Sequence, residues 1–266
     1  MLTSIFSLAA TLLYALSAVL AAGRLFKHEG PNRVQTVSLG FAAAGAHLAS
    51  LMVLVMTGDG ENLGVLNVAS MSAWVVVMLM TTAAMRLPVL QLMPIVHGFA
   101  ALVVLVAWQV PVKWVLHLNA EPEVVIHITL SLIAYAVMVI AAIYALELAF
   151  INRQLKHRRL SALPAFLPPL MTVERQLFQL MLVGLIVLSL ALASGFVFVD
   201  GMFARAQIHK TVFSLLAWLV YALALYAHYR HGWRGRGAVW ASLGGAVLLT
   251  LAYFGSRFVQ EVILRS

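Results

Sequence analysis

Eight apolar runs, each long enough to cross a lipid bilayer, follow one another along this chain with only short polar breaks between them. They fall at about Thr3–Ala22, Val34–Thr57, Leu63–Met85, Leu87–Gln109, Val124–Ile151, Gln176–Val199, Thr211–Tyr229 and Ala238–Ser256. A crossing helix needs about 20 apolar residues. Soluble domains are about 45–50% apolar and about 25% charged, whereas these 266 residues are 63% hydrophobic and 10% charged. The excess apolar surface must face lipid. The pattern predicts an all-α, polytopic transmembrane bundle of eight helices, forming a single integral-membrane domain over residues 1–266. The first run has no basic segment before it and reads as a retained helix rather than a cleaved signal.

Sorting the basic residues by loop gives the orientation. Arg24, Lys27, Arg33, Arg86, Arg153, Lys156, Arg158, Arg159, Arg175, Arg230, Arg234 and Arg236 fall on one side, while Lys113, Arg205, Lys210, Arg257 and Arg265 fall on the other. Positive charge gathers on the cytoplasmic side of membrane proteins. Both termini are therefore expected outside, in the periplasm of a bacterial cytoplasmic (inner) membrane. The net charge of +8 is explained by this bias, so nucleic acid is not an expected partner. The longest polar segment, Asn152 to Arg175, reads as a cytoplasmic surface linker, and no internal repeat is legible.

The chain has no cysteine, which excludes disulfides, thiolate metal sites and covalent haem attachment through a cysteine pair. Any redox cofactor must be held by other side chains. Ionisable groups inside a bundle are costly and mark functional candidates, and four histidines qualify: His47, His97, His127 and His228. His47 lies mid-helix among Gly40, Ala43, Ala44 and Ala46, small residues that admit a neighbouring helix or a flat cofactor; it reads either as a ligand or as a hydrogen-bonded packing residue. His97 follows Pro94, which can kink a helix, and reads as packing or as a site. His127, Ser131 and Tyr135 recur at steps of four and form one stripe, expected to face the bundle. Thr211, Ser214, Trp218, Tyr221, Leu225 and His228 form another. His127 and His228 read equally well as interfacial histidines.

No nucleophile–base set, phosphate-binding loop, zinc-protease helix or dinucleotide fingerprint is present. An enzyme is not expected. Glu147, near the basic end of the fifth run, is expected to reach toward Arg153 or the headgroups.

Several stretches carry a resemblance. These are AHLASLMVLVMTGDGENLGVLNVASM, VVIHITLSLIAYAVMVIAAIYALEL, LPPLMTVERQLFQLMLVGLIVLSLALASG, and a C-terminal segment with WLVYA, HYR, GWRGR and YFG in order. Together they resemble the cytochrome c assembly family, the haem-handling membrane proteins of the CcsA and CcmC type, and most closely the shorter YpjD/HemX-like inner-membrane branch. The resemblance implies a non-covalent b-type haem in the bundle, with His47 and His228 matching the family's intramembrane haem-ligand histidines and His127 an external one. Trp218 and Tyr221 would wall the porphyrin, and Arg234 and Arg236 could attract its propionates. The partners it implies are haem, the lipid bilayer, and apocytochrome c or another membrane protein.

Two features depart from the family pattern. Its Trp-rich external motif is replaced by FARAQIHKTVF, with neither tryptophan nor the closing aspartate, and its second external histidine has no counterpart unless His117 or His209 substitutes. His47 lies about 13 residues, or roughly 20 Å, from the basic-side start of its helix, while His228 lies near the basic-side end of its own. His97 is therefore the alternative partner for His47. The departures favour haem binding over catalysed cytochrome assembly. The competing class is a membrane scaffold or regulatory partner that has lost haem transfer; a small-molecule or ion transporter comes third.

Overall fold

The computed structural model describes residues 1–57, 60–110, 114–116, 122–157, 167–198 and 208–255. Its helices are α1 (Leu2–Ala22), α2 (Arg33–Val55), α3 (Val65–Ala84), α4 (Met93–Gln109), α5 (Pro122–Lys156), α6 (Leu170–Phe198), α7 (Ile208–His231) and α8 (Arg236–Thr250), the last running on into a wider π-helical turn at Leu251–Gly255. Among the described residues, eight helical segments are long and apolar enough to cross a membrane, α4 counted with its leading turn and α8 with its trailing one.

The residues chosen for the inner faces show why lipid is the solvent. In α1 the buried positions are Ser7, Ala10, Tyr14, Ser17, Ala18 and Ala21, while Leu2, Ile5, Leu8, Leu12, Leu16 and Val19 point outward. Small and hydroxylic residues face the neighbours and large aliphatics face out. This inverts the pattern of a soluble bundle, because lipid tails satisfy leucine as well as a core does, and close backbone approach drives helix association. In α6 the same logic buries Gly184, Ala191, Ser194 and Gly195 and exposes Val183, Ile186 and Leu190.

The chain divides into two compact units, Met1–His117 with 159–168, and 118–158 with 169–266. In the first, α1 packs on α2 and α4, and α3 closes the ring between them; in the second, α5 packs on α6 and α8, with α7 closing the ring. One end of the first unit is stitched by Arg33, whose guanidinium donates to the Met85 carbonyl at 3.2 Å. Asn32 caps α2 by accepting from the Gln35 amide at 3.0 Å. The opposite end carries three short antiparallel strands, β1 (Met56–Thr57), β2 (Gly60–Asn62) and β3 (Val115–Leu116), with Glu61 opposite both Met56 and Leu116. Asn62 ties this cap together: its side-chain oxygen accepts from the amides of Gly64 (3.2 Å) and Trp114 (2.9 Å), and its carbonyl accepts from Asn67 (3.0 Å).

Several boundaries differ from the sequence reading. Met56 and Thr57 leave the second helix to start the small sheet, which hydropathy cannot register. Much of the expected linker is helical, since α5 runs to Lys156 and α6 starts at Leu170. At about 1.5 Å per residue, a helix of 35 residues outruns a hydrocarbon core of about 30 Å, so its polar end stands beyond any apolar window. Pro94 does not kink α4. It lies in the first turn, where its missing N–H is no loss, and the 3-10 turn Leu90–Leu92 leads into it. Glu147, 8% exposed, is buried in the second unit.

Candidate functional site

The four candidate histidines divide two and two between the units, and their hydrogen bonds set them apart chemically. His47 and His97 lie in the first unit with no exposed surface. Each holds a hydroxyl at both ring nitrogens. For His47 these are Tyr14 at Nδ1 (3.3 Å) and Ser70 at Nε2 (2.8 Å); for His97 they are Ser17 at Nδ1 (2.9 Å) and Thr81 at Nε2 (3.4 Å). The buried Tyr14 ring joins the two, its centroid 5.8 Å from the His47 ring and 5.6 Å from that of His97. One turn further along, the hydroxyls of Ser7 and Ser50 meet at 2.6 Å. The small residues around His47 serve this packing: a Cβ on Gly40 would lie 2.9 Å from the Thr81 methyl and 3.1 Å from the His97 ring.

His127 and His228 belong to the second unit, and each binds a backbone carbonyl through Nδ1. His127 Nδ1 lies 3.0 Å from the Ala191 oxygen and 3.1 Å from the Ser194 hydroxyl; His228 Nδ1 lies 2.9 Å from the Trp233 oxygen. A carbonyl only accepts, so Nδ1 carries the proton in both, which in an uncharged ring leaves the lone pair at Nε2. Phe178 stacks on the His228 ring with centroids 3.5 Å apart and planes 14° from parallel. Its contacts place His228 against Phe178 and those of His127 against Ala191, 13 residues along α6 (191 − 178). That is roughly 20 Å, too far for both to reach one metal ion.

The stripe His127, Ser131, Tyr135 does face the bundle at both ends: the Tyr135 hydroxyl meets that of Thr250 at 3.1 Å. Trp218, half-buried on α7, donates to Ser189 of α6 at 2.8 Å. Tyr221 is fully buried between α7 and α8, donating to the Ser242 carbonyl at 3.0 Å. Its ring lies where a Cβ on Gly245 would be, 2.5 Å from the ring carbons, which makes it a packing residue of that interface. His209 is described and His117 lies outside the described residues, as does the FARAQ half of the FARAQIHKTVF stretch, whose remainder, IHKTVF, begins α7.

The GWRGR segment forms a defined turn. Gly232 and Gly235 adopt φ of 66° and 69°, a left-handed conformation suited to glycine. The Gly232 and Trp233 amides return to the carbonyls of His228 (2.9 Å) and Ala227 (3.2 Å), closing α7. Glu174 of α6, 8% exposed, accepts from the Gly235 amide at 2.9 Å. Tyr14, Ser70, Thr81 and Glu174 escape the sequence reading; Tyr14 does carry a signal, lying seven residues after Ser7 and three before Ser17 on one face of the first run.

Eight helices long and apolar enough to cross a membrane, two of them carrying histidines hydrogen bonded in the interior of the first unit, define a polytopic membrane protein. The chain belongs to the cytochrome c assembly protein family, whose profile matches residues 34–264. It is 41% identical, over 97% of its own length and 99% of the relative's, to the inner membrane protein YpjD of Escherichia coli K12, and equally to that of strain O157:H7. A protein of Azospirillum brasilense described as an uncharacterized 28.8 kDa protein in a nifR3-like 5' region is 39% identical over 52% of each chain. No solved structure matches. The chain is thus a multi-pass inner-membrane protein.

Proposed function

We propose that this protein handles haem within the inner membrane, holding a non-covalent b-type haem through single imidazoles of its second unit. The observation that carries this reading is the pair of Nδ1-to-carbonyl bonds at His228 and His127. Metal-binding histidines almost always donate their other ring N–H to such an acceptor, which fixes the tautomer and raises ligand basicity. Bound there, haem would supply an iron that an imidazole nitrogen can ligate. His228 has Phe178 against one face of its ring, and Arg230, Arg234 and Arg236 around the same turn offer guanidinium forks to the propionates. His127, roughly 20 Å along α6, is a separate station at the other end of the unit. His47 fits less well: taking iron at Nε2 would require it to give up Ser70 in a site without exposed surface.

A second reading has one observation in its favour. The His228–Trp233 bond also closes the α7 turn, so a scaffold that no longer binds haem would keep it. Detergent-purified protein supplemented with ferric haem separates the two. The haem reading expects a Soret band characteristic of imidazole ligation, reduced by His228→Ala; a scaffold gives only the spectrum of free haem.

A further inference from the structure

We infer that Glu174 is a positioning residue for His228, acting through the backbone of the GWRGR turn to hold that imidazole with its lone pair on Nε2. This rests on the haem reading for its purpose, though not for its geometry. Glu174 and Phe178 are one turn apart on α6 and grip the same feature from one helix face. Phe178 stacks on the His228 ring at 3.5 Å, and the Glu174 carboxylate accepts from the Gly235 amide at 2.9 Å. Two residues before Gly235 is Trp233, whose carbonyl takes the Nδ1 proton of His228 at 2.9 Å.

The turn between them has little freedom of its own once closed. Its glycines at 232 and 235 hold left-handed φ values, and a Cβ on Gly237 would collide with the Trp233 ring, so that indole is seated against the start of α8. Among the described residues, Glu174 is the side chain outside the turn that bonds to its α8 end. A buried carboxylate is costly unless hydrogen bonded, and a surface turn that only needed solubility would have no use for one reaching in from a neighbouring helix. Releasing Gly235 frees the Trp233 carbonyl to move away from Nδ1. An unconstrained imidazole favours the proton on Nε2, which blocks that nitrogen as a ligand.

The test uses the full chain in detergent, with histidine nitrogens labelled and the His228 signals assigned by their loss in His228→Gln. In the wild-type protein without haem, His228 is expected as the Nδ1–H tautomer. Glu174→Ala shifts it toward Nε2–H, and Glu174→Gln, whose amide oxygen still accepts from Gly235, keeps the wild-type form. Ferric haem affinity should fall about 10–100-fold in Glu174→Ala, as for other partners of ligand histidines, and recover in Glu174→Gln. Gly235→Ala, strained at φ 69°, perturbs the turn independently and should reproduce the tautomer shift should Glu174→Ala fail to fold. An unchanged tautomer in the folded Glu174→Ala protein, or in Gly235→Ala where that is the variant that folds, overturns the proposal. A tautomer shift in a protein that binds no haem upholds the positioning role and sinks the haem reading instead.

Discussion

Ser70 of α3 and His47 of α2 share a 2.8 Å hydrogen bond at Nε2 in the centre of the first unit, where neither residue has more than 1% of its surface exposed. With Tyr14 at the other ring nitrogen, the imidazole is satisfied on both sides by protein. Ser70→Ala leaves a buried nitrogen without its partner, which costs about 1–3 kcal/mol. Thermal unfolding in detergent should register a lower midpoint for Ser70→Ala, with haem affinity unchanged.

Two glycines predict opposite outcomes. A Cβ on Gly245 would stand 2.5 Å from the Tyr221 ring, which is pinned by its bond to Ser242. Overpacking of this kind costs about 1–3 kcal/mol, so Gly245→Ala should lower the unfolding midpoint. Nothing lies within 4 Å of a Cβ on the helical Gly45. There alanine should leave stability unchanged or raise it by up to about 1 kcal/mol.

At the strand-capped end, Asn62 accepts two backbone amides through one oxygen and is 8% exposed. Asn62→Asp keeps an acceptor and Asn62→Leu removes it. Proteolysis of the cap should accelerate in the leucine variant far more than in the aspartate variant, by a factor that reflects the lost bonds, each worth about 1 kcal/mol.

How far the sequence foretold this arrangement depends on which physical signal each residue carries. The eight crossings were legible because burial in lipid needs an unbroken apolar run, and α1 to α8 reproduce that count. The helix ends were not, because Arg153, Lys156 and Arg175 lie on helices whose polar turns reach past the hydrocarbon and resemble loops in composition. Spacing put His127 and Tyr135 on one stripe, and both do bond to neighbouring helices. It could not say that His47 meets Ser70 or that His228 meets Trp233, since hydroxyls and carbonyls are everywhere in such a chain and their choice among partners is fixed by packing. Trp218 and Tyr221 share a helical face, yet one bonds to α6 and the other fills a glycine notch on α8. The cost of an ionisable group inside a bundle marked the four histidines, and the resemblance implied ligand roles for three of them; the hydrogen-bond partners of each ring are fixed only by the packed helices.

Haem stoichiometry tests the central claim most directly, because the proposed function makes His228 and His127, against Phe178 and Ala191 of α6, two independent single-histidine stations. Titration of the purified protein with ferric haem, followed at the Soret band, should saturate near two equivalents. It should fall to one in His127→Ala and in His228→Ala, and to none in the double variant, while His47→Ala and His97→Ala leave it at two. Loss of all haem on removing His47 alone, with binding intact in the His127→Ala/His228→Ala protein, would contradict the account.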